Sequence, residues 1–528
     1  MQWLDRITGT FTMYRLVLYC LVALFIETML LSLTGVISQQ PLAILLSALV
    51  LVAFSYSNLV IARIARVKPQ AESALITALL LLFIFEPVNP SAPTALLGYT
   101  GLAVAVVIAN LSKYLLAVRG RHVFNPAALG AFVVALIPAF GDFAAWWLAS
   151  AWLLPVTVIL GFAVLYRTRR LAMAAVVVVA VFAFTVIAYR GAGYELGTLL
   201  GLPFLSFSTI FFVAFMLSEP LTLPPRRWQQ LAEALIVAVI FSFPFSIAGF
   251  STTTPQFALL VGNLLAFLVG QRRGIRLEFL GRSQLTPTSW ELSFQPKHAL
   301  RFTAGQYLEL TVPHRSADSR GVRRMFTVAS APAAGVVQFG LNTAARSSSF
   351  KTALLALQPG ESISATSVGG DFTLPKDASR PLLLVAGGIG ITPFISHLEQ
   401  LHSSAERRDV VVVYSASTPD ELAYAPRLEQ FGHPVLVLSR TEPGHLPAGW
   451  TYLGHGPLTT AMLAEHVPDS AAREALVSGP PSFVSTVRRT LRHAGVRRVR
   501  SDYFTGYTKS ARARYKNAPA PQEPAQVA

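Results

Sequence analysis

Apolar residues run in long blocks through the first 270 positions and in short alternating bursts through the rest. The blocks fall at 14–36, 42–62, 73–86, 94–110, 124–138, 145–166, 171–189, 204–219, 231–249 and 256–270. A helix needs about 20 apolar residues to cross a bilayer, and most blocks come close to that. The third, fifth and eighth are shorter, as expected of helices broken where protein surrounds them. The first is too long for a cleavable signal segment, and further blocks follow it. An α-helical integral membrane domain of about ten spans is predicted over residues 1–270.

The loops between the blocks alternate in charge. Arg63, Arg66 and Lys68 follow the second; Lys113, Arg119 and Arg121 follow the fourth. Arg167, Arg169 and Arg170 follow the sixth, Arg226 and Arg227 the eighth, and Arg272, Arg273 and Arg276 the tenth. The intervening loops carry almost nothing but Arg190. Basic loops stay cytoplasmic, so a multi-pass inner-membrane protein is expected, with both termini and everything after residue 270 in the cytoplasm.

Past Gly274 the texture changes. Trp290-Glu-Leu-Ser-Phe and Tyr307-Leu-Glu-Leu-Thr-Val alternate with period two between turn residues, which predicts a small antiparallel β-barrel over 274–376. From Arg380 buried strands (Pro381-Leu-Leu-Leu-Val-Ala, Val410-Val-Val-Val-Tyr, Val435-Leu-Val-Leu, Glu474-Ala-Leu-Val) alternate with helical stretches. That predicts an α/β domain with a parallel sheet over 380–507. Residues 508–528 are basic, then Pro/Ala-rich, and are expected to be a disordered tail. The first parallel strand opens into Gly387-Gly388-Ile389-Gly390-Ile391-Thr392-Pro393, a turn that lets backbone approach a pyrophosphate at a helix start.

Composition narrows the chemistry. The net charge of +16 divides into 14 basic and 8 acidic residues in 1–270 and 29 and 19 in the remainder, with no dense basic run. Nucleic acid is therefore not an expected partner; membrane lipid is. A single cysteine, Cys20, excludes internal disulfides, all-cysteine iron–sulfur clusters and Cys-rich zinc sites. The membrane half holds one histidine, His122, too few for a stack of bis-histidine haems, and no metal site is expected.

The apolar half carries a faint internal echo. Ser73-Ala-Leu-Ile to Glu86-Pro87 parallels Ser208-Thr-Ile to Glu219-Pro220, and Asn110 and Asn263 follow in similar settings. Duplicated halves often place a site at their interface, which marks Asn125, Glu86 and Glu219 as candidates.

Arg324-Met-Phe326-Thr327, Phe302-Thr-Ala-Gly305-Gln306-Tyr307, Gly370-Asp-Phe372, the glycine turn and Ser478-Gly479-Pro480-Pro481 resemble the ferredoxin–NADP reductase superfamily over about 275–507. The resemblance implies FAD in the barrel. Arg324 would pair with its pyrophosphate, Phe326 stack on the isoalloxazine, Thr327 donate to its reactive edge, and Ser348 and Ser349 serve its phosphates. It further implies a nicotinamide between Thr392 and Ser478, beside Gly479 and Pro480, with Phe504 covering the flavin. Ser478 stands where many members have cysteine. No basic residue directly follows Tyr414, which favours NADH while leaving NADPH possible.

In the membrane half, Val123-Phe124-Asn125-Pro126 to Gly130 and Phe215-Met-Leu-Ser-Glu219-Pro220 carry a second resemblance, over about 40–275. They resemble the ten-span flavoprotein components of the sodium-translocating NADH:quinone reductase and of the Rnf complex. That family attaches FMN to a threonine in an outward Ser-Gly-Ala-Thr loop. Here Pro138-Ala-Phe-Gly-Asp142-Phe runs almost directly into Trp146-Trp147. A noncovalent second flavin, FMN or riboflavin, near Asn125 and Glu219 is expected instead. The combined expectation is an oxidoreductase passing electrons from cytoplasmic NAD(P)H through FAD and a membrane flavin to an extracytoplasmic redox protein. A membrane NADH:quinone reductase and a flavin or ion transporter coupled to a reductase are the alternatives.

Overall fold

The computed structural model describes residues 13–65, 71–118, 121–140, 146–243, 246–247, 250–251, 254–269, 274–314, 318, 322–343 and 347–503; Phe504 and the tail at 508–528 lie outside them. Each apolar run becomes one helical segment: α1 Met13–Leu33, α2 Pro41–Ile64, α3 Ala71–Ile84, α4 Ala95–Leu115, α5 Pro126–Ala135, α6 Leu154–Thr168, α7 Leu171–Tyr189, α8 Leu196–Leu217, α9 Arg227–Ser242 and α10 Pro255–Val269. Five of them, α1, α2, α4, α7 and α8, are long and apolar enough to cross a membrane. Their outward side chains are apolar too, with Ile26, Leu30, Leu49 and Val179 all exposed. A helix apolar on every face needs lipid or protein around it.

Three runs depart from their expected lengths. The sixth becomes helical only at Leu154, because the residues before it bond elsewhere. Trp146 N–H donates to Ile84 O at the end of α3 (2.8 Å), its Nε1 to Gln256 Oε1 (2.9 Å), and Trp147 Nε1 to Leu82 O (2.8 Å). The eighth, expected short, is long but broken. Pro203 sits inside it, Ser208 adopts φ 47°, and its last stretch, Phe212–Leu217, widens to a π-helix. Ser208 Oγ donates to Trp146 O (2.7 Å), so the break is tied to the tryptophan knot. The ninth stops at Ser242. Such side-chain and cross-helix bonds satisfy backbone groups that lipid cannot.

The Asn-Pro and Glu-Pro motifs meet in this half. Asn125 caps α5, its Oδ1 accepting from Ala128 N–H (3.1 Å). Its own N–H donates to Asn263 Oδ1 and its Nδ2 to Glu219 Oε2, both at 2.8 Å. Glu86 does not join them; it accepts from Gln39 Nε2 (3.1 Å). Asn110 instead links α4 to α2 through Ser55 O and Ser57 Oγ, and accepts from Lys113 Nζ.

The C-terminal half opens with strands β1 Ile275–Thr286, β2 Ser289–Pro296, β3 Tyr307–Thr311, β4 Arg323–Thr327 and β5 Val337–Asn342, then helix α11 Ser349–Leu355 and strand β6 Ser362–Gly369. They form an antiparallel half-barrel in the order β4-β3-β6-β1-β2-β5, whose end strands approach at the bridge Val328–Phe339. Its inward faces meet at Phe279, Phe294 and Phe339, with ring centroids 5.3 and 5.8 Å apart. Next come β7 Leu382–Gly387, α12 Thr392–Ser403, β8 Val410–Ser415, β9 Val435–Leu438, β10 Trp450–Gly454, β11 Glu474–Gly479, α13 Pro481–His493 and β12 Val499–Tyr503. Their sheet is wholly parallel, ordered β10-β9-β8-β7-β11-β12. Its inner strands are buried on both faces, which is why they read as unbroken apolar runs.

The buried Asn125 N–H has Asn263 as its partner, so Asn263→Ala should cost about 1–3 kcal/mol by leaving that donor unsatisfied. The check is the thermal transition of purified protein in detergent, where a drop is expected and an unchanged midpoint contradicts the lock.

Candidate active site

A β-strand sends neighbouring side chains to opposite faces. On β4 this turns Arg324 and Phe326 one way and Arg323 the other. The Arg324 guanidinium lies 5.2 Å from the centre of the Phe350 ring, with Asp318 Oδ1 3.4 Å from Nη2. Phe326 stacks on Phe350 (5.9 Å, 19°) and meets Phe339 edge-on (6.1 Å, 67°). The ring expected to face a flavin is thus also part of the half-barrel's aromatic packing. Thr327, in register with Tyr307, is buried at the rim of the same cavity.

The two serines expected at phosphates differ. Ser348 caps α11, accepting from Lys351 N–H (3.3 Å), and lines the cavity with Ser347 and Lys351. Ser349 does not line it: its Oγ accepts from Asp318 N–H (2.9 Å) and pairs with His314 Nε2 (3.0 Å). The Ser349 hydroxyl is thus taken up by partners distant in sequence, whereas Thr392 bonds within its own turn. Thr392 Oγ1 donates to Ile389 O (3.2 Å) and its methyl packs on Gly340, so it closes the turn from behind.

The glycine turn is a close-approach device. A Cβ on Gly387 would lie 2.8 Å from the Phe483 ring, and one on Gly390 2.6 Å from Ser478 O. Gly387, Gly388 and Gly390 therefore line the cavity with bare backbone, next to Pro480 and Phe483. Ser478 and Gly479 sit just behind, and the fully buried Ser478 Oγ has no hydrogen-bond partner among the described residues. A bare backbone cradle beside an unpartnered hydroxyl fits a nicotinamide nucleotide. Phe483 escaped the sequence reading because nothing local ties it to Gly387 and Gly479.

Two further residues were missed. Arg440 follows β9, and its backbone N–H donates to Ser417 O (3.2 Å). It shares the cavity wall with Ser415, Ala416 and Ser417, although no basic residue directly follows Tyr414 in sequence. Ligands of parallel sheets gather at the carboxyl ends of several strands, and that rule points to Arg440. His397, on α12, meets Phe372 O through Nε2 (2.9 Å) and presses on Gly305, where a Cβ would come within 2.2 Å of it. Burial pushes the His397 imidazole down to about 4.

The cavity measures about 2540 Å³, and much of its wall belongs to the membrane half: Tyr14, Arg15, Glu72, Arg167 and Arg170 among others. Arg323 lies over the Tyr14 ring of α1 (5.7 Å), and Arg227 N–H donates to Asp371 Oδ1 (3.3 Å). Tyr307 is half-buried here, and its desolvation raises the phenol above the ordinary value. Asn125 and Glu219 bond to each other and to protein partners as described, so Asn125 commits its backbone N–H, its Oδ1 and one amide hydrogen within the fold.

Residues 384–489 match the oxidoreductase NAD-binding domain family. The NADH oxidoreductase HCR of Escherichia coli K12 is 26% identical over 235 residues, 43% of this chain and 68% of that protein. The toluate 1,2-dioxygenase electron transfer component of Pseudomonas putida is 26% identical over 245 residues, 46% of this chain and 70% of that one. A flavohemoprotein of Bacillus subtilis is 25% identical over 199 residues, 37% of this chain and 49% of that one. The C-terminal half carries an oxidoreductase NAD-binding domain, and the chain is an FAD- and NAD-binding oxidoreductase.

Arg440→Ala should raise KM for NADPH about tenfold or more while changing KM for NADH little, because a charge-assisted bond to the extra phosphate is worth about 1.5–3 kcal/mol. Steady-state kinetics with both nucleotides decide it. His397 is neutral in the fold but titrates near 6.5 when unfolded, so the unfolded chain binds the extra proton between pH 6.5 and about 4. Stability is full above that window and falls through it by about 1.4 kcal/mol per pH unit. His397→Gln should flatten the pH dependence of thermal melting there.

Proposed function

We propose that this chain oxidises NAD(P)H at its flavin half and delivers the electrons into its own membrane half, for transfer to an acceptor on the far side. The observation that carries this reading is the shared cavity. Ends of the N-terminal helices and the loops between them line the same cavity as Arg324, Phe326 and Thr327. A reductase serving a separate soluble partner would keep that face open.

When bound, FAD supplies the change from hydride chemistry to one-electron transfer. The chain's own groups then have separable tasks. Arg324 would neutralise the flavin pyrophosphate, and Ser348 and Lys351 lie along the same wall. Phe326, fixed by Phe350 and Phe339, would offer the flavin a rigid apolar side. The Gly387–Gly390 backbone would receive the nicotinamide nucleotide's pyrophosphate, with the Ser478 hydroxyl orienting its ring. Arg440 would offer the extra phosphate of NADPH a partner, beside the NADH favoured by the sequence around Tyr414.

A hydrocarbon core of about 30 Å is wide for a single transfer. We therefore assign a second, noncovalent flavin to the membrane half, supported by the resemblance of the Asn125-Pro126 and Glu219-Pro220 motifs. With Asn125 held by Asn263, Glu219 and Ala128, we read those residues as the frame of that site. An inside-negative potential would favour outward flow by roughly 2.3 kcal/mol per charge per 100 mV.

Purified full-length protein should release two flavins per chain on acid precipitation; one flavin per chain sinks the relay. In proteoliposomes, NAD(P)H on one side should reduce a membrane-impermeant acceptor trapped on the other. Reduction of a bilayer quinone without that transfer would shift the assignment to a quinone reductase.

A further inference from the structure

The turn joining α6 to α7 contains Arg169, one of five described non-glycine residues with positive φ, here 59°. Glycine or asparagine is the usual choice for a left-handed residue at a helix end. Arginine at this position implies that the side chain is wanted. Its guanidinium carbon lies 4.4 Å from the centre of the Tyr503 ring, within cation–π range. The hydroxyl of the same tyrosine accepts from Arg488 Nη1 of α13 (2.8 Å). One ring is therefore held on its face by the membrane half and at its tip by the nucleotide domain.

The position of that ring matters. Tyr503 ends β12 and pairs in register with Gly479, while Asp502 pairs with Ser478. These are the residues behind the nicotinamide cradle, and Pro480, Tyr503, Arg169 and Arg488 line one cavity. A sideways movement of β12 would shift the backbone against which the nucleotide lies.

We propose that Arg169 is a positioning residue: by clamping Tyr503 between itself and Arg488, the membrane half sets the register of β12 and so the seating of the nicotinamide nucleotide. The reductase half reaches full affinity for its nucleotide only when docked on the membrane helices. This rests on NAD(P)H oxidation by the flavin half, not on the route taken through the membrane.

The test uses full-length protein in detergent, with ferricyanide collecting electrons directly from the flavin half. Arg169→Gly removes the side chain and also suits the left-handed backbone, so the fold is favoured. KM for the nicotinamide nucleotide should rise about fivefold or more, the scale of a partly desolvated cation–π contact, with kcat and flavin content little changed. Arg169→Lys, which keeps charge but loses the planar stack, should recover part of the affinity. Tyr503→Ala should reproduce the glycine variant, and the double variant should be no worse than either single one. An unchanged KM in Arg169→Gly, whether or not its melting temperature falls, overturns the proposal and leaves only a docking contact. Strictly additive losses in the double variant overturn it too. If no NAD(P)H oxidation occurs in the parent protein, the functional reading itself fails.

Discussion

The alternation of side chains along one five-residue strand ties the two halves together. Arg323 and Arg324 are neighbours on β4 and must therefore face opposite ways. Arg324 faces Phe350 and the cavity wall; Arg323 faces Tyr14 at the start of α1. The same strand thus builds the candidate flavin site and seats it on a membrane helix. Insertion of a single residue in β4 would exchange these faces and lose both functions together.

The two C-terminal domains are joined by different physics. Arg427 reaches from the nucleotide domain to Glu291 (3.2 Å) and Gln338 (3.1 Å) of the half-barrel, while Glu421 accepts from Thr286 (3.0 Å) and Thr288 (2.6 Å). Burial raises the Glu291 carboxyl, and Arg427 opposes that shift. Buried ionic groups contribute little net stability but penalise wrong pairings. This network fixes the relative setting of the two domains, across which the flavin and nicotinamide sites must face each other. His397 adds a neutral anchor between α12 and Phe372.

Much of this architecture was legible in the sequence, for reasons that differ by region. The half-barrel strands alternate because one face is buried, and the inner parallel strands are unbroken apolar runs because both faces are. Edge strands Trp450–Gly454 and Val499–Tyr503 are only partly covered and carry no such signature. The apolar runs located the helices but not their ends, since Trp146 leaves its run for partners at Ile84 and Gln256 far along the chain. The glycine turn, Arg324 and Phe326 were legible as motifs. The surroundings of Ser349 and Thr392 were not: Ser349 is taken up by Asp318 and His314 from far along the chain, and Thr392 by a backbone bond within its own turn. Arg440 and Phe483 reach the cavity only through sheet topology. The meeting of flavin half and membrane half has no sequence signature at all.

The tryptophan knot and the Asn125 lock share one helix, α10. Gln256, which accepts from Trp146, and Asn263, which accepts from Asn125, both belong to the last helix of the N-terminal half to be synthesised. Until α10 joins the bundle, those two donors lack their final partners, and the earlier helices form an unfinished assembly. The half-barrel begins at Ile275, only a few residues later. Order of translation therefore places completion of the membrane platform just ahead of the domain that must settle on it, a built-in sequence of assembly for a two-solvent protein.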